Sequence, residues 1–138
     1  MTGDRTHLLD TNILSALAKD PHGRAFGRLQ ALGAERICTS VIVACEIRFG
    51  LAKRASAALT ESLSTMLAAL EILPLLPQMQ EHYAEIRVHL EKAGLPIGPN
   101  VLLIAAQARS LGLTVVTDNV GEFSRVPGLF VENWLESG

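Results

Sequence analysis

His7-Leu8-Leu9-Asp10-Thr11-Asn12 decides how this chain folds. A short apolar run, His7 to Leu9, stops on a carboxylate, and Ile13 to Lys19 continues with the spacing of a helix. Strand, polar turn and helix in that order make the repeating unit of an α/β protein. Asp20-Pro21-His22-Gly23 breaks the helix, and Arg24 to Leu32 carries a second one closed by Gly33. Arg36-Ile37-Cys38 predicts a second strand, and Thr39 or Ser40 can cap a helix from Val41 to Arg54. Ala57 to Leu70 is a further helix. The strand Glu71 to Leu75 contains Pro74, which suits a sheet edge or a strand end.

Gln78 to Ala93 places Met79, Tyr83, Ile86 and Leu90 at helical intervals. A turn over Gly94 to Pro99 leads into a nearly all-apolar helix from Asn100 to Ser110, with Pro99 in its first turn. Gly112 ends that helix. Leu113 to Val116 is β-branched and lacks polar alternation, the pattern of a strand buried on both faces of a parallel sheet. Leu129-Phe130-Val131 is the last predicted strand, ahead of Trp134. The expectation is one α/β domain over residues 1–138, a three-layer sandwich with a short central parallel sheet flanked by helices.

Composition agrees. The chain has 138 residues, 49% apolar and 19% charged, enough to bury a core without disulfides or a structural metal. A net charge of −2 supplies no general basic field, so any contact with nucleic acid requires a local cluster of Lys and Arg. Cys38 and Cys45 read as buried reduced thiols. No secretory signal is evident, and the longest apolar run, Val101 to Ala106, falls far short of the ~20 residues of a membrane span. A cytoplasmic protein with no membrane contact is expected.

Ligand sites in parallel sheets form beyond the carboxyl ends of the strands. Three separated segments bring polar groups there: Asp10, Glu46 and Asp118-Asn119. Asp10 alone reads equally as a helix cap or a ligand. Glu46 shares a helix face with Ile42, Val43 and Phe49. A carboxylate in that position needs an arginine partner or a metal to stay ionised. Clustered carboxylates raise one another's pKa unless a cation intervenes, and Mg2+ or Mn2+ suits an all-oxygen set. His7, His22, His82 and His89 form no ligand pattern.

At these residues the sequence resembles the PIN-domain family. Leu8-Leu9-Asp10-Thr11-Asn12 is similar to its opening motif. The stretch from Thr39-Ser40-Val41 to Cys45-Glu46-Ile47-Arg48-Phe49-Gly50 is similar to the second. Ile97-Gly98-Pro99-Asn100 with Leu103-Ile104-Ala105-Ala106-Gln107-Ala108 matches the third. The fourth matches Val115-Val116-Thr117-Asp118-Asn119, with Glu122-Phe123 and Arg125-Val126-Pro127-Gly128-Leu129. Val131-Glu132-Asn133-Trp134 resembles the tail of the VapC toxins of type II toxin–antitoxin pairs. The resemblance implies Mg2+-dependent endoribonuclease activity against structured RNA such as tRNA or rRNA loops. It also implies inhibition by a VapB-type antitoxin whose C-terminal segment covers the active-site groove, and a homodimer or toxin–antitoxin hetero-oligomer.

Carried over position by position, Asp10 and Glu46 match the first two acids and Asn119 the fourth. Asp10, Glu46 and Asn119 are thus the implied metal ligands, and with Asp118 the implied catalytic set. The third acid falls at position 101, where this chain has Val101. An apolar side chain there predicts a weakened nuclease, one that substitutes Asn100 or Asp118, or a catalytically silent PIN fold that binds antitoxin or RNA. Asn12, Ser40, Arg48 and Arg125 are the expected substrate-binding residues, with Lys53 and Arg54 as further basic candidates. A phosphoryl-accepting aspartate domain also has Asp at the first strand end, but Asn12 replaces its second Asp and no lysine follows the later strand.

Overall fold

The computed structural model describes residues 4–54 and 56–136, Arg54 by its backbone alone. The chain runs β1 (His7–Leu9), α1 (Thr11–Lys19), α2 (Arg24–Leu32), a 3-10 turn (Ala34–Arg36), β2 (Ile37–Ser40) and α3 (Val41–Arg54). It continues with α4 (Ala57–Ala69), β3 (Ile72–Leu73), α5 (Met79–Ala93), α6 (Pro99–Leu111), β4 (Thr114–Val116), α7 (Val120–Phe123) and β5 (Val131–Glu132). The strands form one parallel sheet in the order β3-β2-β1-β4-β5. Starting at the centre, the chain builds outward on one side through β2 and β3. It then crosses back to place β4 and β5 on the other. The strand order therefore reverses between β1 and β4, and parallel sheets leave a crevice at the carboxyl ends of strands at such a point.

Burial explains why this order is stable. Leu8 and Leu9 in β1, Cys38 in β2, and Val115 and Val116 in β4 are completely enclosed, as continuous apolar strands must be when helices cover both faces. Helix α1 packs on α2, α3 and α4, while α5 packs on α6 and α3 also touches α6. Ile13, Leu14 and Leu17 of α1 and Ile104, Ala105 and Ala108 of α6 face the core. Gly112, at φ 69°, takes the left-handed conformation that ends α6 as expected. Among the described residues no helix is long and apolar enough to cross a membrane.

The differences from the sequence reading have local causes. Helix α1 begins at Thr11, ahead of Ile13, because the Asp10 carbonyl already accepts the N–H groups of Ile13 and Leu14. Strand β2 extends past Cys38 because Thr39 and Ser40 pair with Ile72 and Leu73. The last strand is Val131–Glu132, with Phe130 exposed. The short helix α7 was not anticipated. Of the two free cysteines, Cys38 is buried as expected and its thiol is pushed up to about 12 chiefly by desolvation. Cys45 is exposed, contrary to expectation.

β3 lies at the sheet edge and stops at Leu73, so Pro74, read as suiting a sheet edge or a strand end, stands just past it; the strand's end is held from inside. The side-chain amide of buried Gln107 donates to the carbonyls of Leu73 and Pro74, both at 3.1 Å, while its own Oε1 has no partner among the described residues. Gln107→Leu would strip two carbonyls of their donor and remove one orphaned acceptor. A net loss of about 1–2 kcal/mol is expected, seen as a lower urea midpoint at unchanged slope.

Candidate active site

Asp10 leaves β1 at the switch point, its N–H donating to the Val116 carbonyl at 2.9 Å. It occupies the N-cap of α1, yet its carboxylate makes no capping hydrogen bond. Instead, Oδ2 accepts from the Thr117 hydroxyl at 2.7 Å, across the β1–β4 seam. The capping alternative is thereby set aside. Burial pushes the Asp10 carboxyl up, and the nearby Glu46 charge adds to that. The Thr117 hydroxyl and the Thr11 backbone N–H pull the other way without overcoming it. A carboxylate held this way is short of positive charge.

Glu46 stands across from it on α3. The Thr11 hydroxyl donates to its Oε1 at 2.7 Å and the Asn100 amide to its Oε2 at 3.3 Å. No arginine or lysine pairs with it among the described residues. Its expected apolar surroundings need correction. Val43 and Ile47 are buried, but Phe49 is 67% exposed, so Glu46 lies at the margin of the buried stripe. Helix α3 is apolar on several sides, and its periodicity alone could not fix which side turns inward.

The two neighbours after β4 point apart. Asp118 is exposed; its N–H donates to Asn12 Oδ1 and its carboxylate accepts from Asn133 at 3.0 Å. Asp118 is thus drawn toward the C-terminal segment, away from the Asp10–Glu46 pair, and Asn12 serves as a clip between the ends of β1 and β4. Asn119 donates its backbone N–H to the Thr117 hydroxyl and its amide to Glu122 Oε2. Among the described residues its hydrogen-bonded link to Asp10 runs through Thr117.

Ser40 is completely buried and caps α3 by accepting from Ile42 N–H. It has no surface to offer a substrate, so the expected substrate contact is corrected to a structural one. Arg48 donates to Ser64 Oγ on α4 and Arg125 to the Pro96 carbonyl; both are exposed. Lys53 lies 5.7 Å from the Phe49 ring centre. The side chain of Arg54 is outside the described residues. Val101 is half-buried against the core in the first turn of α6, next to Asn100.

Among the described residues no three of His, Cys, Asp and Glu converge on one point. What converges is two carboxylates, threonine hydroxyls and an asparagine amide. That donor set, without sulfur or imidazole, fits a small hard divalent cation that keeps several waters and is bound through one or two carboxylates.

Comparison with known proteins gives the family of the chain. Residues 7–129 match the PIN domain. The chain belongs to the PIN-domain family. Within it the chain is of the VapC type. It is 38% identical to ribonuclease VapC2 of Rickettsia felis, over 93% of this chain and 97% of that protein. It is 35% identical to the tRNA(fMet)-specific endonuclease VapC of Salmonella typhimurium, over 92% and 96%. Its fold is similar to that in the VapBC2 structure from Rickettsia felis bound to a promoter DNA fragment. There the TM-score is 0.85 at 34% identity, over 94% of this chain and 98% of that one. The DNA-bound VapBC structure from Salmonella typhimurium superimposes with a TM-score of 0.82, also at 34% identity, over 94% and 98%. The α/β sandwich with a parallel sheet and flanking helices is therefore the PIN-like fold.

Four residues of this PIN domain went unassigned or under-weighted in the sequence. Thr11 and Thr117 hold the two carboxylates, and Asn100 reaches Glu46. Glu122 accepts from Gly98 N–H at 2.7 Å and from Asn119, tying α7 to the start of α6. The available signal was position, since Thr117 directly follows β4 and Thr11 comes two residues after the end of β1, the strands that pair at the centre. The Glu122 carboxyl is held below its usual range by the Gly98 N–H first, then by Asn119 and Arg125. A depressed carboxyl stabilises the fold above its unfolded pKa, and that contribution fades as pH falls through the folded value. Glu122→Gln should therefore lower the melting temperature at pH 7, with the difference from the parent vanishing toward pH 3. Asp10 carries the opposite sign, because its ionised form opposes folding. Asp10→Asn keeps an acceptor for Thr117. It is expected to raise the melting temperature of the metal-free chain and to reduce any further rise on adding Mg2+.

Proposed function

We propose that this chain is a metal-dependent endoribonuclease toxin paired with a VapB-type antitoxin. The observation that carries this reading is the paired Asp10 and Glu46 at the sheet's switch point, each held by a threonine, in a chain related to proteins named VapC ribonucleases. Asp10 and Glu46 would hold Mg2+ or Mn2+, with Asn119 as the expected third contributor beyond them. When bound, such an ion supplies an activated water and charge stabilisation for phosphodiester hydrolysis.

The protein's own contribution is positional. Thr117 fixes the Asp10 carboxylate from β4, and Thr11 and Asn100 fix both oxygens of Glu46 from α1 and α6. The carboxylates thus keep their orientation without reorganising when substrate arrives. Burial of Asp10 lowers the local dielectric and sharpens its attraction for a cation. Single-stranded loops of tRNA or rRNA are the expected substrates, and tRNA(fMet), named for the Salmonella relative, is the first to assay. The VapBC complexes among the similar structures support a toxin–antitoxin hetero-oligomer as the assembly, with a toxin homodimer inside it.

Val101 favours a second reading, a PIN fold that has lost its chemistry and binds antitoxin or RNA. A valine at the third acidic position supplies no ligand, and Asp118 is engaged elsewhere. Mg2+-dependent cleavage of tRNA by this chain and by Val101→Asp separates the two. Val101→Asp should raise the rate by about tenfold or more, a gain of roughly 1.4 kcal/mol or more in transition-state stabilisation. Glu46→Gln and Asp10→Asn in that background should abolish it. Equal cleavage by parent and Val101→Asp would remove the third acid from the account.

A further inference from the structure

Between α1, α3 and α4 lies a cavity of about 210 Å3 that has Glu46 in its lining. Thr11, Ser15 and Glu46 supply its polar groups, and Ile47, Leu51, Leu59 and Leu63 its apolar walls. Gly50 completes the lining. Glycine in mid-helix costs stability, and here neither usual reason for it applies. Gly50 is not among the positive-φ glycines, and a Cβ placed on it meets nothing within 4 Å. Gly50 is itself exposed, and the missing side chain leaves open space that the described residues do not fill.

Along α3, Glu46 is followed one turn later by Phe49 and Gly50 and two turns later by Lys53, a single stripe at helical spacing. Phe49 is 67% exposed and Lys53 lies over its ring. A carboxylate, an empty apolar slot, an exposed ring and a cation thus follow one another on one edge of the helix. Single-stranded nucleic acids are held by such elements, with bases in apolar or aromatic contacts and phosphates on cations. The cavity is smaller than the roughly 300 Å3 at which drug-sized sites begin, so it suits one ring system and not a whole nucleotide.

We propose that this cavity receives an unstacked nucleobase of the RNA beside the cleaved phosphodiester, with Phe49 and Lys53 receiving the adjoining nucleotide. The proposal rests on the ribonuclease reading above. A base is favoured over a protein side chain because the slot is lined by Glu46, the group to which the scissile phosphate would be brought in the reading above. It would make Gly50 a specificity-determining position.

The test uses Gly50→Leu, which fills the slot while improving helix propensity, beside Gly50→Ala, which leaves most of it open. Binding of a fluorescent random-sequence decaribonucleotide is measured with Mn2+ present, together with Mn2+ affinity and melting temperature. Gly50→Leu is expected to weaken RNA binding by about tenfold, the size of one lost base contact. Mn2+ affinity should be unchanged and the melting temperature no lower, with Gly50→Ala close to the parent. A decamer of base-free sugar phosphates should bind the parent and Gly50→Leu equally, which a general structural defect would not produce. Parent-like RNA binding by Gly50→Leu would overturn the proposal, all the more if that variant lost self-association or antitoxin capture. If the parent bound neither Mn2+ nor RNA, the ribonuclease reading itself would fall, and the base slot with it.

Discussion

The parallel pairing of β1 with β4 is the constraint on which this molecule depends. Leu8 and Leu9 lie opposite Val115 and Val116 in the dry centre of the sheet. The ladder runs one step further, from Asp10 N–H to the Val116 carbonyl. With the register fixed by buried side chains on both strands, a one-residue slip would move every side chain to the wrong face. Asp10 and Thr117 therefore meet at the same height, and the hydroxyl of one reaches the carboxylate of the other. The candidate active site is the end of that ladder.

Its electrostatics follow from the same placement. A carboxylate enclosed at the sheet edge loses hydration, and a second carboxylate nearby adds repulsion, so the folded chain holds Asp10 against its preference for ionisation. The Thr117 hydroxyl and the Thr11 N–H moderate this at Asp10, and the Thr11 hydroxyl donates to Glu46, but none of them supplies charge. The arrangement leaves a local deficit of positive charge that a divalent cation would fill. Elsewhere several charges are paired. Arg109, largely buried, donates to His82, the Pro127 carbonyl and Glu85, binding α5, α6 and the turn before β5. At the opposite end of β5, Glu132 receives Trp134 and His7. The contrast between paired charges around the scaffold and unneutralised carboxylates at the crevice distinguishes the candidate site from structural ion pairs.

Much of this was legible in the linear sequence because it rests on local chemistry. Strands β1 and β4 announce themselves as apolar runs stopped by polar residues, and Gly33, Gly94 and Gly112 mark helix ends. Pro74 marked a sheet edge or a strand end, and β3 stops just before it at the edge of the sheet. The short helix Val120–Phe123 carried too few residues to show a period. The extension of β2 to Ser40 depended on pairing with a strand more than 30 residues away. Asp10 and Glu46 stood out as carboxylates in sequence positions that precede or interrupt apolar segments. The exposure of Phe49 and of Cys45 did not, because a helix apolar on several sides has no periodicity that says which side is covered.

By itself, the sequence determined the strand–helix alternation, the parallel sheet, the strand ends that carry polar groups and the valine at position 101. These are properties of residue type and spacing, and they survive whatever the distant parts of the chain do. Tertiary structure alone decided which polar groups meet. It turned Asp118 toward Asn133 and left Asn119 linked to Asp10 through Thr117. It made Ser40 a buried cap, recruited Thr11 and Asn100 to Glu46, and left a slot beside Gly50. Those outcomes depend on side-chain directions at the ends of strands brought together across the sheet. Such directions are fixed only when the register of β1, β2 and β4 and the seating of α3 and α6 are fixed with them.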